Sequence, residues 1–365
     1  MNIKLGDLCK IQAGGTPSRN ISKYWENGDI PWVKIGDIES KFLNKTTEFI
    51  TKEGLNNSSA KMIEKGSILY TIFATLGEVC ITNIDVTTNQ AIAGLTLRDD
   101  KVDLEYLYYF LKSLHLHVNS IGRGVAQNNI NLTILREFSV PVPNRKKQLE
   151  IANILKVIEN IIESRKKQIQ EYDQLIKSRF VEMFGDTKTN SKKLPLVKPE
   201  EICESISAGG DRPDEVSSIK TTDFAYPIFS NGEKDDGLYG WSKEYRIEKP
   251  SVTVSGRGTI GYSSYRKDGK FTPIVRLIVM TPNEKVNPVY LTYYLNLERE
   301  EGSGSGVQQL TVPMIKSKKI MLPELIKQNK FAEFVEQVDK LKFEVQKSLD
   351  ESQTLFDSLM QEYFG

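Results

Sequence analysis

Histidine and cysteine, the side chains most often used to hold a metal or to activate a nucleophile, are scarce in this chain. Its two histidines, His115 and His117, share one apolar stretch, and its three cysteines, Cys9, Cys80 and Cys203, stand singly. Neither Cys-x-x-Cys nor His-Glu-x-x-His spacing occurs, which argues against zinc hydrolases and against histidine-dependent serine or cysteine hydrolases. Isolated cysteines fit a reducing compartment. The chain starts Met1-Asn2-Ile3-Lys4-Leu5-Gly6 without an apolar signal core, and no apolar run approaches the ~18 residues of a membrane span. A cytoplasmic, soluble protein without a metal site is expected.

Two further motifs are weaker than they look. Gly256-Arg257-Gly258-Thr259-Ile260-Gly261 fits the glycine pattern of a dinucleotide or S-adenosylmethionine loop. The turn-forming run Tyr262 to Gly269 follows it, not the helix whose N-terminus would hold a phosphate. A strand, a turn carrying an exposed arginine, and a second strand is the better reading. Asn287-Pro288-Val289-Tyr290 approaches the Asn-Pro-Pro-Tyr motif of amino-methyltransferases but lacks its second proline. Asp103-Leu104-Glu105-Tyr106 in the first half keeps the cap and the tyrosine without a proline, so a helix start explains both.

Other loops carry hydrogen-bonding chemistry of the kind that reads nucleic acid. Ala13-Gly14-Gly15-Thr16-Pro17-Ser18-Arg19 and Ala208-Gly209-Gly210-Asp211-Arg212-Pro213 combine glycine backbone with short polar side chains and an arginine. Arginine is the commonest guanine reader, and amides pair with adenine. The candidates are Gly15, Thr16, Ser18, Arg19, Arg123, Gln127 and Asn128 in the first half, and Arg212, Ser230, Asn231, Lys234, Arg257 and Arg266 in the second. Lys plus Arg (49) against Asp plus Glu (48) leaves a net charge of +1. Binding by bulk charge is excluded and a localised basic face is not.

The elements that must position these loops are repeated. At 365 residues, with 39% hydrophobic and 27% charged residues, the chain is globular in composition and long for one domain. Val140-Pro141-Val142-Pro143 then Gln148 recurs as Ile320-Met321-Leu322-Pro323 then Gln328. Met183-Phe184-Gly185 recurs as Tyr363-Phe364-Gly365, and Gly14-Gly15 as Gly209-Gly210. Each half ends in a long stretch without Pro or Gly in its interior. Alternating steps of four and three pass through Ile151, Leu155, Ile158, Ile162, Arg165, Ile169, Tyr172, Ile176, Arg179 and Met183. In the second half they pass through Phe331, Val335, Val338, Lys342, Val345, Leu349, Ser352, Phe356, Leu359 and Tyr363. This is a coiled-coil seam. Residues 144–185 hold nine Lys/Arg and six Asp/Glu, and residues 324–365 hold five and nine, so opposite net charges favour pairing. Connectivity makes that pairing antiparallel, with a globular domain at each end of a rod. Short β-branched stretches (Ser67–Thr71, Val79–Thr82, Ser251–Ser255, Ile274–Met280) read as strands. The aromatic-rich stretches after Asp103 and Asn287 read as capped helices with their rings in the core. The fold class is α+β: two mixed α/β domains in tandem, a pseudo-twofold repeat separated by two long antiparallel helices.

Taken together, the chain resembles the specificity subunit of Type I restriction-modification systems over its whole length. The carriers are Gly14 to Ser18, the segment Ile30-Pro31-Trp32-Val33 to Gly36-Asp37-Ile38, the Val-Pro-Val-Pro and Gln148 approach to a long helix, Phe184-Gly185-Asp186 at its end, and the duplication. The second half departs from the pattern, with Pro227-Ile228-Phe229-Ser230 and with Asp211 after Gly-Gly. The resemblance implies target recognition domains at 1–143 and 186–323 and conserved spacer helices at 144–185 and 324–365. It implies a non-catalytic subunit that reads a split, asymmetric double-stranded DNA site. Two modification subunits would bind it and carry S-adenosylmethionine for adenine N6 methylation, with restriction subunits for cleavage. Two other classes stay open at this point: an enzyme with an unrecognised site, and a coiled-coil linker protein that binds no DNA.

Overall fold

The computed structural model describes residues 1–73, 75–114, 130–299 and 309–365, in two units. One is Met1–Lys166 with Lys347–Gly365, the other Lys167–Gln346. The strands of the first are β1 (Asn2–Lys4), β2 (Cys9–Ala13), β3 (Ile30–Val33), β4 (Phe42–Leu43), β5 (Glu48–Ile50), β6 (Ile68–Thr71), β7 (Val79–Thr82), β8 (Thr87–Thr88), β9 (Ile92–Leu97) and β10 (Ser139–Pro141). Its helices are α1 (Leu5–Leu8), α2 (Lys52–Asn56), α3 (Leu104–Ser113), α4 (Leu132–Arg136) and the first part of α5 (Arg145–Phe184). A five-stranded sheet runs β2-β9-β6-β7-β4, a three-stranded sheet β5-β3-β8, and β1 pairs with β10.

The second unit repeats this plan. It holds the rest of α5, then β11 (Leu196–Val197), α6 (Pro199–Ile202), β12 (Cys203–Ala208), β13 (Tyr226–Phe229), β14 (Leu238–Ser242), β15 (Ser251–Val254), β16 (Ser263–Arg266), β17 (Thr272–Pro273), β18 (Ile278–Pro282), α7 (Pro288–Leu297), α8 (Val312–Ser317), β19 (Ile320–Met321) and the first part of α9 (Leu325–Phe364). Its sheets run β12-β18-β15-β16 and β14-β13-β17, with β11 pairing to β19. Ala13 faces Ala93 across β2 and β9, and Ala208 faces Ile278 across β12 and β18. The two sheets therefore share the order of four strands and the register at this end, while the first adds β4 as a fifth strand and the β12–β18 pairing shifts register between Cys203 and Ser205.

Local chemistry explains why the copies fold alike. Asp103 accepts the Tyr106 N–H and caps α3, and Asn287 accepts the Val289 and Tyr290 N–H groups and caps α7. Tyr106 and Tyr290 are buried, and their hydroxyls donate to Pro141 O (2.8 Å) and Met321 O (2.7 Å). Gln148, 1% exposed, accepts the Asp103 N–H at 2.7 Å and donates to Lys101 O (3.0 Å) and Pro143 O (2.9 Å). Gln328, 0% exposed, accepts the Asn287 N–H at 2.8 Å and donates to Lys285 O (3.3 Å) and Pro323 O (2.7 Å). The repeated glutamine thus ties the start of each long helix to the cap of the aromatic helix beside it.

Both long helices have 40 residues. In the first unit Leu155, Ile158 and Ile162 pack in one core with Leu349, Phe356 and Met360. In the second, Ile176, Phe180 and Phe184 pack with Phe331, Val335 and Val338, and Asp173 pairs with Lys342 at 2.5 Å. Moving from Asp173 to Phe184 along α5 moves back from Lys342 to Phe331 along α9, so there the helices run antiparallel. Val345 is buried, while Ile169 and Leu349 are half-buried. The seam differs from the heptad at matching places. Phe180 and Met360 are buried where the alternating steps select Arg179 and Leu359. Near each helix end the partner is a mixed α/β core as well as a second helix, and steps of four keep one face on it. Among the described residues no helix is long and apolar enough to cross a membrane.

One expected strand is interrupted. The apolar run Ile274–Met280 does not extend throughout: β18 begins at Ile278, and Val275 and Arg276 occupy left-handed backbone with φ 52° and 63°.

Candidate nucleic-acid interface

In the first unit Gly14 and Gly15 leave β2 and run against the connection between β8 and β9. Gly14 N–H donates to Ile92 O at 3.1 Å and Gly15 N–H to Thr88 O at 2.8 Å. A Cβ on Gly14 would stand 2.1 Å from Thr88 Oγ1, and one on Gly15 2.2 Å from Ser59 Oγ. Both positions are glycine because backbone meets neighbour here. The buried Trp32 indole donates to Gly15 O at 2.9 Å, and the Thr16 hydroxyl donates to Gln90 Oε1 at 2.5 Å. Downstream, the Arg19 guanidinium lies 3.7 Å from the Trp25 ring centre and 4.8 Å from that of Trp32. Arg19 also donates to Glu48 at 2.6 Å, and Lys34 donates to the same carboxylate at 2.9 Å. The bonds from Lys34 and then Arg19 hold the Glu48 carboxyl below the usual range. Arg19 is oriented yet still half exposed (52%). Ser18 is exposed beside it, and its carbonyl accepts the Trp25 indole N–H at 3.1 Å. Gly15, Thr16, Ser18 and Arg19 are thus brought together on one frame, while Arg123, Gln127 and Asn128 lie outside the described residues.

Four loops of the second unit are tied into one knot. Asn231 Nδ2 donates to Val275 O at 2.7 Å, and Asn231 Oδ1 accepts from Gly256 N at 2.7 Å and Arg257 N at 3.4 Å. Val275 N–H donates to Gly210 O at 2.9 Å, and Gly232 N–H to Ser255 Oγ at 3.2 Å. Asn231 is therefore a tie between loops. Ser230 closes the loop after β13 through its N–H to Gly237 O at 2.8 Å. Arg257 is exposed and donates to Gln309 Oε1 from Nε (3.3 Å) and Nη2 (3.0 Å). No helix follows Gly261, and β15 and β16 pair antiparallel around this turn. Arg212 is exposed and donates to the Tyr239 hydroxyl at 3.2 Å, and Lys234 is exposed on a short 3-10 turn, Lys234–Gly237.

Arg266 sits differently. It is 7% exposed and lies 3.7 Å from the Phe229 ring centre. It donates to Asp236 Oδ2 (2.7 Å), Asp236 O (2.8 Å) and Thr253 Oγ1 (3.0 Å). Burial lowers its pKa and the neighbouring Asp236 opposes that shift. The Tyr262 and Ser264 hydroxyls also donate to Asp236, each at 2.8 Å. Arg266 therefore fixes the turn that displays Lys234, and its guanidinium faces the interior. Residues left out by the sequence reading also stand on these loops: Trp25, Glu48 and Gln90 in the first unit, Val275 and Arg276 in the second. A lone arginine within the apolar run Ile274 to Met280 was the available signal for Arg276.

These loops offer guanidinium, amide and hydroxyl groups on backbone held by hydrogen bonds, the equipment of direct readout. Among the described residues no group of three or more His, Cys, Asp and Glu is placed to hold a metal ion. A cleft of about 390 Å³ lined by Phe110, Leu114, Phe138 and Phe364 opens beside β1 and β10 and contains none of the candidates.

The family model described as Type I restriction modification DNA specificity domain matches residues 1–172 and again 195–352. The chain belongs to this family. A type I specificity subunit of Mycoplasma pneumoniae is 26% identical over 342 residues, covering 90% of this chain and 86% of that protein. The EcoprrI specificity subunit of Escherichia coli is 23% identical over 366 residues, covering 93% and 87%. Among solved structures, the S subunit of a Type I restriction-modification system from M. genitalium matches over 100% of this chain and 96% of its own. The TM-score is 0.61 and the identity 17%, which establishes a shared fold. The specificity-domain family thus accounts for the duplication, the mixed α/β units and the long helices together.

Proposed function

We propose that this specificity-domain protein is the DNA sequence-reading subunit of a type I restriction-modification complex. The observation that carries the reading is the double match of the family model, once to each half of the chain. Each unit reads one half of a split, asymmetric site through its loops. Methyl transfer to adenine N6 belongs to modification subunits, two per complex, which bring S-adenosylmethionine, and cleavage belongs to restriction subunits. The near-neutral charge of +1 supports this division, since partners with basic clefts can supply phosphate affinity. The complex works in the cytoplasm, where the DNA is.

The test is co-expression with the cognate modification subunit, followed by mapping of N6-methyladenine. One bipartite asymmetric motif is expected, and none from the chain alone. Methyl transfer by the purified chain above a buffer control, or methylation by the complex without sequence preference, would overturn the reading.

A further inference from the structure

The turn Ile274–Leu277 holds two non-glycine residues in a conformation that Asn-Gly usually supplies. Val275, at φ 52°, is β-branched and adopts it only under strain. The turn closes through Leu277 N–H to Ile274 O at 3.1 Å and is held from three sides: Ile274 N–H to Phe229 O (2.9 Å), Val275 N–H to Gly210 O (2.9 Å) and Asn231 Nδ2 to Val275 O (2.7 Å). The surrounding loops therefore impose a backbone that its own residues resist, and the result is display. Val275 and Arg276 are both exposed. Arg212, Arg257 and Arg266 are each bonded to an acceptor, whereas the Arg276 guanidinium has no hydrogen bond or ion pair among the described residues.

The first unit has the same turn with other chemistry. Asn89 N–H donates to Val33 O at 3.0 Å and Ile92 N–H to Asn89 O at 3.3 Å. Gln90 and Ala91 therefore stand where Val275 and Arg276 stand. No positive φ occurs there, and the exposed Gln90 carries an amide. This turn thus carries an amide, bonded by the Thr16 hydroxyl, at its first central position in one unit and a free guanidinium at its second central position in the other. These are the groups that pair bidentately with adenine and with guanine.

Resting on the reading of the chain as a DNA recognition subunit, we propose that Arg276 is a specificity-determining residue. It reads one guanine, through O6 and N7 in the major groove, within the half-site bound by the second unit. The test uses the full chain assembled with its modification subunit and a DNA library randomised across both half-sites. A wild-type complex that selects no motif overturns the reading of the chain and this proposal with it. Given a motif, Arg276→Ala loses preference for guanine at one position of one half-site, discrimination there falling roughly five- to a hundredfold. The remaining positions of that same half-site are retained, which shows that the second unit is still folded. Arg276→Lys keeps the charge without the planar fork and loses most of that discrimination too. An unchanged motif in Arg276→Ala overturns the proposal. So does uniformly weaker binding at every position with a shallower salt dependence, the mark of a phosphate contact. Full discrimination in Arg276→Lys overturns it as well.

Discussion

Replacing Gln148 with alanine removes the side chain that ties α5 to α3. Three backbone groups lose their partner: the Asp103 N–H and the carbonyls of Lys101 and Pro143. A buried polar group without a partner costs about 1–3 kcal/mol. Lys101 is exposed and Asp103 and Pro143 are half-buried, so water recovers part of this and the lower end of the range applies. Three such groups and the lost packing of a 1% exposed side chain make roughly 3–4 kcal/mol, applied to the first unit. Urea unfolding followed by tryptophan emission measures it. Trp25 and Trp32 report on the first unit, and Trp241→Phe removes the tryptophan of the second. With a slope of about 2 kcal/mol per molar urea, the midpoint falls by roughly 1.5–2 M. Gln148→Met fills a similar volume without hydrogen bonds, so it separates packing from bonding and should recover about 1 kcal/mol at most. A midpoint within about 0.3 M of wild type for Gln148→Ala, or wild-type stability for Gln148→Met, would refute the assignment.

The other expectations follow from the same geometry. The Glu48 carboxyl is held below its usual 4.5 by Lys34 and Arg19. Its contribution is therefore present above that value and is lost as pH falls through the folded value. Emission from Trp25 and Trp32, against which Arg19 rests, should change on acidification in a step centred below 4.5, and the step should be absent from Glu48→Gln; the same step in both proteins would assign it elsewhere. Arg266→Met leaves Asp236 without its buried partner. Because the Asp236 side chain is 50% exposed it regains water, and the loss should be about 3 kcal/mol, read as an earlier unfolding transition of Trp241. Replacing residues 194–322 by the matching part of another family member should change only one half of the methylated motif, and a change in both halves would show that the units do not read independently.

What was legible in the sequence was the part governed by burial. The heptad seam is set by which side chains must leave water, and the caps at Asp103 and Asn287 and the glutamines after each proline segment by which backbone groups must be bonded there. Those constraints write a repeat that can be found by matching one half to the other. Phe180 and Met360 escaped because a strict heptad assumes that only another helix lies opposite. Arg266 looked like a loop reader because its type is common in such loops, and nothing in the local sequence announced that Asp236 and Phe229 would enclose it. The left-handed turn at Val275 was hidden for a related reason. Val-Arg has strand propensity, and the bonds that override it come from Gly210, Phe229 and Asn231, which are remote in sequence.

That dependence on remote clamps gives a last test of how the two units came to display different groups. Grafting the second unit's turn into the first, as Gln90→Val with Ala91→Arg, moves the side chains without the frame. Val33 O and the Gly14-Gly15 backbone are present in the first unit, but the position matching Asn231 is Ile35, which packs against a buried apolar cluster and cannot donate to the turn. The graft also removes the acceptor of the Thr16 hydroxyl, Gln90 Oε1. Left-handed backbone at two non-glycine residues costs roughly 1–2 kcal/mol each, and without the amide clamp the turn should relax toward the right-handed form, turning the new arginine away from where Arg276 points. The grafted chain, assembled with its modification subunit, should therefore not gain selection of a guanine in the first half-site. Adding Ile35→Asn supplies the clamp, at the expense of apolar packing, and should bring guanine selection with it. Selection of guanine by the graft alone would show that the display needs no clamp.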